Sequence, residues 1–247
     1  MMLIEKDIEK YIDIYLDKIS NENEFAHWER YASYDYCYNY FQSFYKNGII
    51  KEIASDKNIE HSVLQLGFYL ASWGMYRGST ALLRHSSHCL IPIVQFISEC
   101  DPIFWELDVN NYETNFENLK KLYTNIGRAL KFPIIKSGKH IPQQATPILI
   151  TKIMLGVWGC TPALDDFFMT GIGKSQFSED NYIISLKKVL IIWQTINDFY
   201  KQHQELIDSY NICTLSFSPN ILSSNLYTKA KIIDMIFFTK GMLKKQS

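Results

Sequence analysis

Apolar side chains recur every three or four residues along almost the whole chain, and the two-residue alternation of a half-buried strand is nearly absent. Ile4, Ile8, Tyr11, Ile12, Tyr15, Leu16 and Ile19 share one face of a predicted first helix, which ends at the polar run SNEN, residues 20–23. A tyrosine-rich second helix is predicted over about 25–45, stopping at Asn47-Gly48, a pair suited to a helix C-terminus. A third covers about 59–73 and ends at Gly74. Another runs from Gly78 to Cys89 and is bent or restarted by Pro92.

Thr114 and Glu117 have the spacing of a capping box for a helix reaching about residue 131. The stretch KFPIIKSGKHIPQQATP, residues 131–147, carries the glycine and prolines of a long loop. Thr146-Pro147 then supplies an N-cap and a first-turn proline for a helix over 148–158, and Thr161-Pro162 repeats that signature. A long helix over about 179–208 and a last one over about 226–243 complete the chain. The expectation is an all-α protein of about nine helices, a single domain over residues 1–247, with no repeat and no linker.

Composition narrows the class. Hydrophobic residues make up 47% and aromatic residues 15%, with 11 Gly and 7 Pro, which excludes a disordered or fibrous chain. Cys37, Cys89, Cys100, Cys160 and Cys213 are an odd number without a CxxC pair, which points to a reducing compartment. The first twenty residues carry acids from Glu5 onward and lack the basic start and apolar block of a signal peptide. No uncharged apolar run reaches membrane-spanning length. A soluble, cytoplasmic protein with no membrane partner is expected.

The net charge of −1 conceals an asymmetry. Residues 1–60 hold 7 basic and 12 acidic side chains, whereas Lys120, Lys121, Arg128, Lys131, Lys136, Lys139 and Lys152 stand in residues 118–164 without one acid. A one-sided basic stretch attracts a polyanion even in a neutral protein, because local potential governs encounter. A solvated helical face accounts for the same pattern.

The basic stretch leads into TKIMLGVWGCTPALDDFF, residues 151–168, where two adjacent aspartates follow a Gly-Cys-Thr-Pro turn. The free N–H groups and positive dipole end of a helix favour carboxylates in its first turn, so Asp165 and Asp166 could simply cap and charge the helix. The segment also resembles the helix-hairpin-helix DNA glycosylase superfamily, with Gly159, Pro162 and Asp165 matching that family's glycine and its P-x-x-D element. The resemblance implies a two-lobed helical domain with its motif-bearing core over about 114–175. It also implies that Asp165 stabilises the positive charge arising on the deoxyribose as the base departs, with Asp166 taking that role if the turn is one residue longer.

The family's L-P-G-x-G hairpin is replaced here by SGKHIPQQATP, which supplies only Gly138 and Pro142. The family's nucleophilic lysine would fall near Pro147 and not at Lys152, so a monofunctional, water-using glycosylase is expected, with no metal or organic cofactor. Its partner would be double-stranded DNA with the target base flipped out, bound by a monomer.

A second block, LGFYLASWGMYRGSTALLRH, residues 66–85, is similar to a group of bacterial proteins related to phage-defence glycosylases. That similarity implies a modified base as substrate, such as glucosylated hydroxymethylcytosine. Gly74 and Gly78 bracket Tyr76 and Arg77 in a break between helices; Trp73 and Tyr76 are candidates for the base pocket. Arg77, Lys136, Lys139, His140 and Lys152 are candidates for DNA backbone contacts. Trp73 as a core residue and Arg77 paired to a carboxylate are the plainer alternatives.

Other constellations are weaker. His85 and His88 lack the downstream pair that would complete a zinc site, and Arg84 with His88 is too closely spaced for the R-x4–6-H motif of helical ribonucleases. The tyrosines of YASYDYCYNYFQSFY, with Asp35 and Asn39 between them, suit either an aromatic core or a base pocket. Gly171-Ile172-Gly173-Lys174 lacks P-loop spacing. The alternatives to a glycosylase are a non-catalytic helical nucleic-acid-binding or interaction protein and a toxin-like ribonuclease.

Overall fold

The computed structural model describes residues 3–19, 25–78, 80–136, 139–173, 177, 185–218 and 222–246, with backbone alone at 133–136, 139–142 and 222. The described chain is mostly helical. Its helices are α1 (Glu5–Leu16), α2 (Ala32–Lys46), α3 (Ile59–Ser72), α4 (Ile91–Glu99), α5 (Tyr112–Ala129), α6 (Pro147–Trp158), α7 (Asp166–Ile172), α8 (Leu186–Gln202), α9 (Gln204–Ser209) and α10 (Lys229–Gln246). Two antiparallel hairpins join them, β1 (Lys131–Lys136) with β2 (Lys139–Gln144) and β3 (Cys213–Leu215) with β4 (Leu222–Leu226). Among the described residues no helix is long and apolar enough to cross a membrane.

The fold is organised around α10, whose residues 230–241 are all buried. Apart from Lys231 and Asp234, its segment AKIIDMIFF is apolar all round, the pattern of a helix enclosed by neighbours. Its free N-terminal N–H groups are met from far along the chain: Asp108 accepts from the backbone of Lys229 and Ala230, each at 2.8 Å. Helix α7 crosses α10 where both are glycine. A methyl group on Gly171 would lie 1.8 Å from the Phe237 carbonyl oxygen, and one on Gly241 would lie 1.9 Å from that of Phe167. Helix α1 packs on α10 as well, and α2 packs on α3 and α6.

Helix α6 begins as its sequence predicts. Thr146 Oγ1 accepts from Leu149 N at 3.3 Å, Pro147 fills the first turn, and Gly159 closes the helix in the left-handed region at φ 66°. Inside α6, Gly156 gives room to Tyr69, whose ring would meet an added methyl at 2.3 Å.

Several local expectations are corrected. The stretch 131–144 is a hairpin with Phe132 opposite Gln143 and Lys136 opposite Lys139, not a loop. Residues 80–90 hold two short 3-10 turns, Leu82–Arg84 and Ser87–Leu90, so His85 and His88 do not share a helix. Helix α5 starts before Thr114; the capping box there is Asp108 with Asn111, at the short 3-10 turn Val109–Asn111. Thr161-Pro162 does not open α7: the chain continues without regular structure to Asp165, which is the N-cap.

Candidate active site at the start of α7

The turn between α6 and α7 is held on every side. Tyr112 donates to the Cys160 carbonyl at 2.7 Å, and the Trp193 indole donates to Thr161 Oγ1 at 2.8 Å. Asp234 of α10 accepts from Ala163 N at 3.0 Å, and Thr151 of α6 accepts from Leu164 N at the same distance. Thr161 is thus a buried acceptor for an indole rather than a cap. These bonds satisfy backbone and side-chain groups that cannot reach water, and they fix where Asp165 emerges.

Asp165 has three donors. Its Oδ1 accepts from Phe167 N and Phe168 N at 3.1 Å each, and its Oδ2 accepts from Lys152 Nζ at 2.9 Å. Lys152 is 3% exposed at its side chain and Asp165 is 17% exposed. The ammonium also stands 5.3 Å from the centre of the Trp73 ring. This corrects the assignment of Lys152 to the DNA backbone: its charge is directed inward to Asp165, the arrangement a buried cation requires.

Behind this pair lies a second. Lys231 Nζ donates to Asp234 Oδ2 at 2.8 Å and to the Tyr15 hydroxyl at 2.9 Å, and stands 4.5 Å from the centre of the Tyr34 ring. Both pairs, with Tyr34, Tyr69 and Trp73, line one cavity of about 10 Å³, room for roughly one water. Among the described residues the Tyr34 hydroxyl and the Trp73 indole N–H, which belong to that lining, have no hydrogen-bond partner. The cavity is therefore polar enough to hold a water and far too small for a nucleobase.

The two sequence blocks meet here, since Trp73 comes from residues 66–85 and Asp165 from 151–168. Trp73 is half-buried, with Phe238 edge-on at 5.5 Å and the Arg30 guanidinium 5.2 Å from its ring. Tyr76 does not line the cavity; its hydroxyl lies 3.6 Å from the place a methyl on Gly67 would occupy. Arg77 is exposed and folds back over Gly74, its Nε 3.2 Å from an added methyl there. Gly74 and Gly78 have φ of 76° and 59°, a region where a side chain is strained. Asp166 is exposed and pairs with Lys245, away from the cavity.

Lys136, Lys139 and His140 fall in the β1–β2 hairpin, where their side chains lie outside the described residues. Of the other bases in that stretch, Lys121, Arg128 and Lys131 are exposed, and Lys120 pairs with Glu117. Of the tyrosines of α2, Tyr34 and Tyr38 are core residues stacked 5.6 Å apart, whereas Tyr36, Tyr40 and Tyr45 are half-buried. Asp35 accepts from the Tyr227 hydroxyl at 2.6 Å and from Leu215 N at 2.9 Å, and Asn39 accepts from Thr214 Oγ1 and Asn225 Nδ2 at 2.7 Å each. Burial pushes the Asp35 carboxyl up to about 7 against those hydrogen bonds and the nearby Lys231. Both polar side chains thus anchor the β3–β4 hairpin and do not face a ligand.

The Lys231–Asp234 pair was not anticipated. Its signal was a lysine and an aspartate at i, i+3 inside the apolar run AKIIDMIFF, where charged groups must be enclosed together. Among the described residues no three His, Cys, Asp or Glu side chains come together to hold a metal ion. Comparison with known proteins supplies no precedent: no family model, no curated protein and no solved structure matches this chain.

Proposed function

We propose that the chain is a DNA glycosylase that hydrolyses the N-glycosidic bond of a base turned out of the duplex, leaving an abasic site. The observation that carries this reading is the oriented Asp165 carboxylate, partly exposed at a helix N-terminus and braced by Lys152, with Trp73 against the lysine. In such a reaction the C1′–N bond breaks with its electrons leaving on the base. C1′ gains positive character, and a fixed carboxylate facing it lowers the barrier. Water then adds at C1′ and gives up a proton to solvent, while the departed base takes one up, so that charge balances. The small cavity admits no base, so the base would lie on the solvent side while the sugar faces Asp165. A bulky modified base, such as glucosylated hydroxymethylcytosine in phage DNA, is the substrate class favoured by the similarity of residues 66–85. An anti-phage role follows from that substrate.

The bonding of Asp165 also favours a second reading. All three of its donors are internal, so it serves as a helix cap and as the counter-charge of a buried lysine. A non-catalytic helical nucleic-acid-binding protein needs nothing more of it.

One set of variants separates the two. Asp165→Asn leaves Lys152 buried without its counter-charge and is expected to lower stability by about 2–3 kcal/mol, the exposed edge moderating the loss. Adding Lys152→Met removes the stranded charge and is expected to recover most of that stability. If Asp165 is catalytic, wild type makes alkali-labile sites in modified phage DNA and the stable double variant makes none. Wild type that makes no abasic sites in modified or unmodified DNA, while still binding it, leaves the binding protein.

A further inference from the structure

A groove of about 450 Å³ runs along the outer side of α2 and α3, and rings supply half of its lining residues. Trp28, Phe68 and Phe217 are 86%, 64% and 77% exposed, with Leu64 the main aliphatic contribution. Monomeric proteins rarely leave that many large apolar side chains together in water without a ligand for them. The rings are held in place: His27 Nδ1 and the Tyr36 hydroxyl share a 2.7 Å hydrogen bond, and Phe217 meets Tyr36 edge-on at 5.0 Å. His61, Gln65, Ser33 and Ser72 add polar edges, and Glu29 stands beside Arg30 as the one carboxylate of the lining.

Arg30 lies in the groove lining and has no carboxylate partner among the described residues. Its guanidinium stands over Trp73, the residue that also lines the Asp165 cavity. The groove and the candidate active site thus adjoin, with Arg30 and Trp73 in contact between them. We infer that this groove seats unpaired nucleobases of a nucleic-acid strand, stacked on Trp28, Phe68 and Phe217, with Arg30 receiving a phosphate. Stacking faces accept any base, a cation accepts the backbone, and the volume fits one or two bases. A second copy of the chain is the competing occupant, which sedimentation distinguishes.

The inference shares with the proposed function only the meeting with nucleic acid, and none of its chemistry. The test is equilibrium binding of a fluorescein-labelled single-stranded oligo-dT of fifteen nucleotides to the full chain, with sedimentation run alongside. Trp28→Ala/Phe217→Ala removes two exposed rings without touching the core and is expected to weaken binding about tenfold or more. Arg30→Gln is expected to reduce the slope of log K against log salt by about 0.7. Failure of the wild type to bind oligo-dT overturns the inference, as does unchanged affinity in the double variant. A dimer that dissociates in the double variant while oligo-dT affinity is unchanged overturns it in favour of self-association. Because the oligonucleotide is unmodified and no turnover is read, loss of the glycosylase assay leaves this result standing. Abasic-site formation without oligo-dT binding fails the groove alone.

Discussion

Lys152–Asp165 and Lys231–Asp234 are the same two side chains at nearly the same separation, 2.9 and 2.8 Å, around one cavity. Their settings differ. Lys231 and Asp234 lie one turn apart on a single buried helix, and Asp234 also accepts from Ala163 N. Lys152 and Asp165 come from two helices and an intervening turn, and Asp165 keeps a partly exposed edge. The inner pair satisfies itself and the turn, so it has nothing left to offer a substrate. The outer pair is the only one of the two that a sugar could approach. A buried ion pair is weak grounds for function in itself; what distinguishes the outer one is its place at a helix start and its access.

The two pairs are coupled through the crossing of α7 and α10, and the largest expected effect comes from there. Gly241→Ala would place a methyl 1.9 Å from the Phe167 carbonyl oxygen, a backbone atom that cannot move without moving the helix Asp165 caps. We expect loss of cooperative folding, or a stability loss of more than about 3 kcal/mol, because overpacking against backbone cannot relax through a rotamer. Urea unfolding followed by far-ultraviolet circular dichroism would show it. A stable Gly241→Ala protein would mean that the crossing is looser than the two glycines indicate.

Asp234→Ala breaks the inner pair alone. It strands a lysine that is 1% exposed and removes the acceptor for Ala163 N, so a loss of about 3–5 kcal/mol is expected. Replacing both members, as Lys231→Met/Asp234→Leu, should recover part of that loss, measured as the urea midpoint. The Tyr15 hydroxyl and the Ala163 N–H would then be unpaired, which limits the recovery. Asp165→Asn should cost less, and a larger loss there than at Asp234 would reverse the contrast between the pairs.

Much of this frame was legible in the sequence. Helix α3 was placed at 59–73 and runs Ile59–Ser72, because its apolar spacing and the glycine after it both act locally. Helix α6 was marked by Thr146, Pro147 and Gly159 for the same reason. The misreadings occurred where distant groups decide. Thr161-Pro162 has the local form of a helix start, but Trp193, Asp234 and Thr151 hold residues 161–164 outside regular structure, and capping passes to Asp165. The β1–β2 hairpin shows no alternation a single strand would advertise, with Pro133 and Pro142 facing each other across it. Asp165 was singled out and Lys152 was placed outside; only the fold could show that one faces the other. As a dipole contact alone Asp165 would contribute about half a kcal/mol, and the buried Lys152 beside it raises that figure.

The third buried carboxylate of this region supplies a pH test. Asp35 is raised to about 7 by burial, whereas in the unfolded chain it titrates near 4. Between those values the unfolded chain has released a proton that the folded chain retains. Stability contributed by this group therefore falls as pH rises from about 4 to about 7 and levels off above, by up to roughly 4 kcal/mol. Asp108, pushed up to about 6 by burial, adds a contribution of the same sign over about 4 to 6. Comparing urea midpoints of wild type and Asp35→Asn across pH 4–8 isolates Asp35: the variant should lose stability less steeply with pH, while Asp108 continues to act. Parallel curves would mean that Asp35 is ionised in the folded protein throughout, held so by Tyr227, Leu215 N–H and Lys231.

Thr146→Ala gives the smallest effect and the cleanest control for Asp165. Thr146 caps α6 through one hydrogen bond to Leu149 N and is not part of an ion pair, whereas Asp165 caps α7 and also faces Lys152. Losing a cap of the first kind costs about 1 kcal/mol. Because α6 carries Lys152, Thr146→Ala loosens the support of the outer pair without touching either of its members. Chemical unfolding should show that loss, and nucleic-acid binding and any abasic-site formation should persist. Asn at position 165 can still cap α7 through its side-chain oxygen, so stability missing from Asp165→Asn/Lys152→Met belongs to the lost ion pair and its packing and not to capping. Activity missing from that double variant and present in Thr146→Ala then belongs to the Lys152–Asp165 pair and not to a general loss of stability.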